Sequence, residues 1–259
     1  MRFTLIIMFF VTAILIAQNP VELNLIKKDK VNWSKFMGQD RFESKYYLVG
    51  DDLEKLSKGE IVSYSNIQFG EIDQVDIFNS LKIALLHKNY NTIAILDNRL
   101  AEISIVNFNM ISPYRAITKI ANSNENSIWI FNTLNFQLEL FDYNIEKTIH
   151  STIPINENVL ALQSDYNNVY ALSKSYLYHY NYNGSLISKI SHEGFDDFKL
   201  ADNFIVFKKN NLLFYKALGN ENIEVLKIQK KIIKQFFVMN QTLYIYDGEF
   251  LYNYQILKT

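Results

Sequence analysis

Cysteine is absent from the chain, and proline (3), glycine (8) and arginine (4) are scarce. Without cysteine there is no disulfide scaffold, no thiol nucleophile, no thiolate metal ligand and no lipidated cysteine. The few arginines, Arg2, Arg41, Arg99 and Arg115, offer little for forked recognition of phosphate. A net charge of −1 lacks the basic excess of a nucleic-acid binder. Walker-type loops, G-x-G-x-x-G, G-x-S-x-G and H-E-x-x-H motifs are all missing. The four histidines, His87, His150, His179 and His192, lie too far apart in sequence to form a ligand pair. No catalytic, cofactor-binding or metal-binding residue is therefore assigned, and no cofactor is expected.

What is present is apolar and aromatic. Hydrophobic residues make up 49% of the 259, including 17 Tyr and 19 Phe. That content excludes a disordered chain, and the length suffices to bury a core without disulfides.

The chain opens MRFTLIIMFFVTAILIAQNP. Arg2 precedes an apolar run from Phe3 to Ala17, and polar Gln18, Asn19 and Pro20 follow. The run is shorter than the roughly 20 residues of a spanning helix. It suits the apolar region of a secretory signal peptide, with cleavage after Ala17 or Gln18. Residues 1–18 are read as that signal, with an uncleaved N-terminal anchor as the alternative. Residues 19–259 are read as one exported domain, periplasmic or held at the outer membrane through a partner, with no direct lipid anchor.

Beyond the signal, apolar and aromatic runs recur, separated by Asn, Asp, Ser and Gly, which is a strand-and-turn pattern. Asparagine tolerates left-handed backbone and stands in for scarce glycine in such turns. Six short strands anchor a repeat: KYYLV, LKIAL, SIWIF, NVYAL, NFIVF and TLYIY. Their matching residues are Tyr47, Ile83, Ile128, Val169, Ile205 and Leu243, at steps of 36, 45, 41, 36 and 38. A second strand follows most anchors after about ten residues, as in IAILDN (Ile93 to Asn98) and LELFDYN (Leu138 to Asn144). A period near 40 with several strands per unit marks a β-propeller. The fold class is thus all-β: a single propeller of six four-stranded blades, with five or seven as the neighbouring counts. The last unit is short, and VELNLI (Val21 to Ile26) is placed to complete it and close the ring. A β-sandwich pair and a β-solenoid are the competing architectures.

One segment reads two ways. VLKIQKKIIKQFF (Val225 to Phe237) spaces its lysines like a basic amphipathic helix. By repeat position it is an outer strand, a loop and an inner strand, and that reading is preferred. Tyr176, Tyr178, Tyr180 and Tyr182 alternate, so they share one strand face. Such a face either packs on the next blade or forms an exposed aromatic strip that binds a partner or a sugar. The acidic clusters, Asp51 and Asp52, Glu71 with Asp73 and Asp76, and Asp196 with Asp197, fit solvated turns better than paired catalytic carboxylates. Trp129 is assigned to the core.

The stretch FGEIDQVDIFNSLKIALLHKNYNTIAILDNRLAEISIVNF (Phe69 to Phe108), followed by NSIWIFNTLNFQLELFDYN (Asn126 to Asn144), resembles an uncharacterised family of exported bacterial β-propeller-like proteins. That resemblance implies a propeller and an envelope location, and brings no activity or site residues. A more distant likeness is to propellers that serve as scaffolds in envelope assembly machines, at the level of fold alone. The function expected is a non-catalytic propeller that binds an envelope protein, with no nucleic-acid partner. The alternative is a small-ligand or glycan-binding or glycan-hydrolysing propeller with an axial site.

Overall fold

The computed structural model describes residues 21–228 and 232–257. The expected signal segment lies outside them. Strand β1 (Glu22–Lys30) comes first in the chain but last in the architecture. Blade 1 is β2 (Lys35–Gln39), β3 (Lys45–Val49), β4 (Asp52–Ser57) and β5 (Glu60–Tyr64). Blade 2 is β6 (Gln74–Asn79), β7 (Lys82–His87), β8 (Thr92–Leu96) and β9 (Glu102–Asn107). Blade 3 is β10 (Ile117–Asn122), β11 (Ser127–Asn132), β12 (Gln137–Asp142) and β13 (Lys147–Ser151). Blade 4 is β14 (Ala161–Ser164), β15 (Asn168–Leu172), β16 (Tyr176–Asn181) and β17 (Leu186–Ser191). Blade 5 is β18 (Asp197–Leu200), β19 (Phe204–Lys209), β20 (Leu212–Ala217) and the short β21 (Glu224–Val225). Blade 6 is β22 (Gln235–Met239), β23 (Thr242–Tyr246) and β24 (Phe250–Leu257), with β1 as its outer strand.

Each blade is a four-stranded antiparallel sheet, a meander in blades 1 to 5, and the first strands of successive blades neighbour one another in a closed ring. The protein is a six-bladed β-propeller. The six repeat anchors all fall on the second strand of a blade. These strands are buried on both faces, as KIALLH and SIWIFN are throughout, so they carry the strongest apolar signal. The lysine-rich segment follows its repeat position: its described parts are β21, a connection, and β22.

Asparagine and aspartate build the turns. Side-chain oxygens of Asn79, Asn107, Asn181 and Asp97 each accept the N–H two residues ahead. Asn91, Asn210 and Asn240 take left-handed backbone, with φ of 52°, 55° and 52°, where glycine would be usual.

The core is divided into six interfaces, one between each pair of neighbouring blades. The interface of blades 3 and 4, for example, packs Trp129, Phe131 and Leu140 against Val169, Tyr178 and Tyr180. The closing interface, blade 6 on blade 1, is compact and aromatic: Phe36, Tyr244, Tyr246 and Leu251, with Trp33 and Phe237 alongside. Trp33 stacks on Tyr47 with ring centroids 4.3 Å apart, and its carbonyl accepts the Tyr246 hydroxyl. β1 closes the ring by pairing with β24 from Glu22 opposite Leu257 to Lys30 opposite Phe250. Val21, just before β1, and Leu23 within it pack into the core between blades 5 and 6.

Candidate functional site

Two surfaces carry the chemistry: the axial cavity and a crescent of loops on one face. The cavity, of about 580 Å³, takes its wall from all six inner strands. Strands of neighbouring blades do not form a ladder there, so side chains tie them. Gln74 of β6 donates to the carbonyl of Ile120 (2.6 Å) and accepts its N–H (3.1 Å). Gln163 of β14 accepts the N–H of Leu200 (2.6 Å). Asp76 accepts the side-chain amide of Asn122 at 2.8 Å and the N–H of Phe78 at 2.9 Å. Burial pushes the Asp76 carboxyl above its usual range, against those donors and the charge of Lys82. The Lys82 ammonium is buried and donates to three carbonyls of the next blade, those of Ser123, Glu125 and Ser127, at 2.7, 2.8 and 2.9 Å.

The charged groups along the cavity are mostly committed. Lys199 lies 3.3 Å from Asp197, and Lys35 lies 3.1 Å from Glu71 at the rim. Asp73 accepts the N–H of Lys88 (2.8 Å). Lys119 of β10 is different: it lines the cavity, and its ammonium makes no hydrogen bond or ion pair with any described residue. Burial holds its pKa below the usual lysine value, opposed by the charge of Asp197. Among the described residues, no three His, Asp or Glu side chains converge as a metal site would require.

The second surface follows from topology. In all blades the strands alternate in direction from the axis outward, so outer-to-inner connections and the turns between second and third strands emerge on one face. In the sector of blades 2 to 4, these loops are stitched side to side. The ring Nδ1 of His87 lies 3.2 Å from the carbonyl of Gly70. Asn91 donates to the carbonyl of Arg115 (2.6 Å), and Asn109 to that of Tyr90 (2.9 Å). Thr133 N–H reaches the Ala116 carbonyl (2.9 Å), and Ile155 N–H the Phe136 carbonyl (2.7 Å). Beneath the crescent, Glu139 accepts from Arg115 (2.8 Å), Thr148 (2.6 Å) and Asn132 (2.8 Å). Burial would raise this carboxyl, but those donors hold it below its usual range.

On this pinned base, large apolar side chains point to solvent. Ile67 is 94% exposed, Met110 83% and Ile153 65%, with Tyr90, Tyr114 and Leu134 also exposed. The loop segments 65–70, 107–114, 132–136 and 153–156 contain no charged residue. A held and mainly apolar loop surface, with the exposed Lys88 of the Tyr90 turn among its few charges, is unusual for exposed protein and typical of a contact face.

The residues singled out from sequence are dispersed. Tyr178 (7% exposed) and Tyr180 (1%) are buried between blades 3 and 4, while Tyr176 and Tyr182 are partly exposed at the ends of that row. A partner would reach only the two end rings. Three of the four histidines are partnered by Gly70, Asn168 and Ser173, and His150 packs against Tyr182. Asp73, Asp76 and Asp197 line the cavity, Asp196 pairs with Lys208, and Asp51 and Asp52 sit at a surface hairpin. Sequence reasoning missed Gln74, Lys119, Gln163 and the loop crescent. The cavity residues carry a faint signal, a polar side chain in the short strand preceding each anchor.

No protein-family model and no curated protein matches the sequence. Solved structures match the fold. Selenomethionine-substituted virginiamycin B lyase from Staphylococcus aureus aligns with a TM-score of 0.61 at 10% identity, over 91% of this chain and 100% of that one. The Pan2 WD40 domain from Neurospora crassa aligns with a TM-score of 0.60 at 8% identity, over 90% and 95%. A streptogramin B lyase gives 0.60 at 10% identity, over 91% and 98%. At such identities the likeness is one of fold, shared here by lyases and a WD40 domain alike.

Proposed function

We propose that this chain is a non-catalytic propeller that docks another protein of the cell envelope, and that it does so with the loop crescent of blades 2 to 4. One observation carries the reading: Ile67, Met110 and Ile153 stand in solvent on loops cross-linked by hydrogen bonds. Pre-ordered loops lose little entropy on binding, and neutral apolar side chains gain most from burial. A partner with a mainly apolar patch fits this surface. The N-terminal apolar run supports export, with the periplasm or the inner side of the outer membrane as the working compartment.

The test is a paired capture from gently solubilised envelopes of the source organism after cross-linking in the cell. The wild-type chain is compared with an Ile67→Asp, Met110→Asp double variant. Recovery of one stoichiometric protein by the wild type, and its loss in the double variant with unchanged thermal stability, is expected. Recovery of the chain alone, or equal capture by both forms, would overturn the reading.

A further inference from the structure

The axial cavity has the volume of a small-molecule site, which typically spans about 300–1,000 Å³. Its wall combines apolar side chains, among them Met37, Phe36, Ile77 and Phe237, with a few polar ones. The decisive feature is the state of its cations. Lys199 is satisfied by Asp197 and Lys35 by Glu71, while Arg41 and Lys234 are exposed to solvent. Lys119 alone among the half-buried cavity cations has no acceptor for its ammonium among the described residues. A shielded ammonium without an acceptor is costly, and an anion brought to it recovers that cost.

The charges of Asp197 and Asp73 reach Lys119, but neither carboxylate forms an ion pair or hydrogen bond with its ammonium. Asp197 is engaged by Lys199, and Asp73 by the N–H of Lys88. Asp76 is turned to Asn122 and Phe78. The free valence at Lys119 therefore faces the cavity. We infer that the axial cavity binds a small organic monocarboxylate, whose anionic oxygens pair with the Lys119 ammonium while its apolar body packs on the Phe and Met side chains of the wall. The site is separate from the loop crescent and does not depend on it.

The experiment uses the full chain and four probes: hexanoate, benzoate, and their uncharged counterparts hexanamide and benzamide. Binding is measured by titration calorimetry and by ligand-observed NMR. For the wild type, at least one carboxylate is expected to bind at least tenfold more tightly than its amide. Lys119→Met is expected to erase that tenfold preference while retaining the wild-type unfolding midpoint or exceeding it. The Ile67→Asp, Met110→Asp variant is expected to keep it, which separates this site from the docking surface. Three results would overturn the inference: no binding of either carboxylate at millimolar concentration, equal binding of acids and amides, or a preference that survives Lys119→Met. The acid-to-amide comparison on wild type stands without any variant, so a folding defect in Lys119→Met leaves the inference testable.

Discussion

Gln74 on blade 2 and Ile120 on blade 3 exchange two hydrogen bonds, with the side-chain amide matching the backbone as a strand would. The inner strands are splayed around an axis, so a side chain must span what a ladder normally closes. Gln74→Ala leaves a peptide N–H and carbonyl to the cavity. Since water can enter, the expected loss is about 1–2 kcal/mol rather than the full penalty of a dry site. Urea unfolding measures it, and a loss under about 0.5 kcal/mol would mean that water replaces the amide at no cost.

Arg115→Met strips the cation from Glu139 while the carboxylate stays buried among Thr148, Asn132 and Asn135. Removing one partner of a buried pair typically costs about 3–5 kcal/mol. Arg115 also donates to the Pro113 carbonyl in the crescent (2.9 Å). Amide exchange in residues 108–116 is thus expected to accelerate in this variant beyond the effect of global destabilisation. Uniform acceleration across all blades would contradict that local role.

Gly38 lies at a bulge of β2 with φ of 146°, between blades 1, 2 and 6. A Cβ there would sit 2.7 Å from the Phe237 ring and 2.8 Å from Cδ1 of Ile77. Gly38→Ala is expected to cost about 1–3 kcal/mol, the usual range for overpacking. An unchanged thermal midpoint would show that the closing interface has slack.

Stability should fall on mild acidification. Burial lowers the pKa of His87, His179 and His192 from the usual 6.5. Below 6.5 the unfolded chain takes up protons that the folded chain refuses, so unfolding becomes easier as pH falls through that value. His87 is buried, with Nδ1 facing the carbonyls of Gly70 and Glu71. His87→Gln should flatten the dependence. Unfolding midpoints between about pH 7.5 and 5.5 provide the check, and an equal slope in both proteins would remove His87 from the account.

Tyr180→Ala and Tyr182→Ala separate packing from binding. Tyr180 is buried against blade 3, so truncation should cost about 3–5 kcal/mol, as for other large core aromatics. Tyr182 is only partly buried, and its loss should cost well under half of that. Similar costs at both positions would mean that the outer end of the row is as tightly packed as its centre.

The blades were legible because their second strands are sandwiched on both faces, which writes an unbroken apolar run such as IAL or IWIF into the sequence. The uneven spacing of the anchors also has a plain cause. The step of 45 from Ile83 to Ile128 spans the long connection between β9 and β10 that builds part of the crescent. The cavity was not legible. Its residues come from strands some 40 positions apart, and Lys119 looks like any surface lysine until the ring places it inside. The tyrosine row shows the converse limit. Alternation fixed a common face for Tyr178 and Tyr180, but only the neighbouring blade, with Trp129 and Leu140, decided that the face is covered.

The pairing of Glu22 with Leu257 has a further consequence. The two ends of the described chain meet on one edge of one blade, so a linker of a few residues could join them without disturbing a strand. New ends could then be opened in the surface hairpin at Gly50 and Asp51, giving a circularly permuted propeller in which blade 6 is continuous. In that molecule ring closure would pass from an outer strand contributed across the sequence to a strand within blade 1. The order in which the blades mature would change while every interblade core stayed the same.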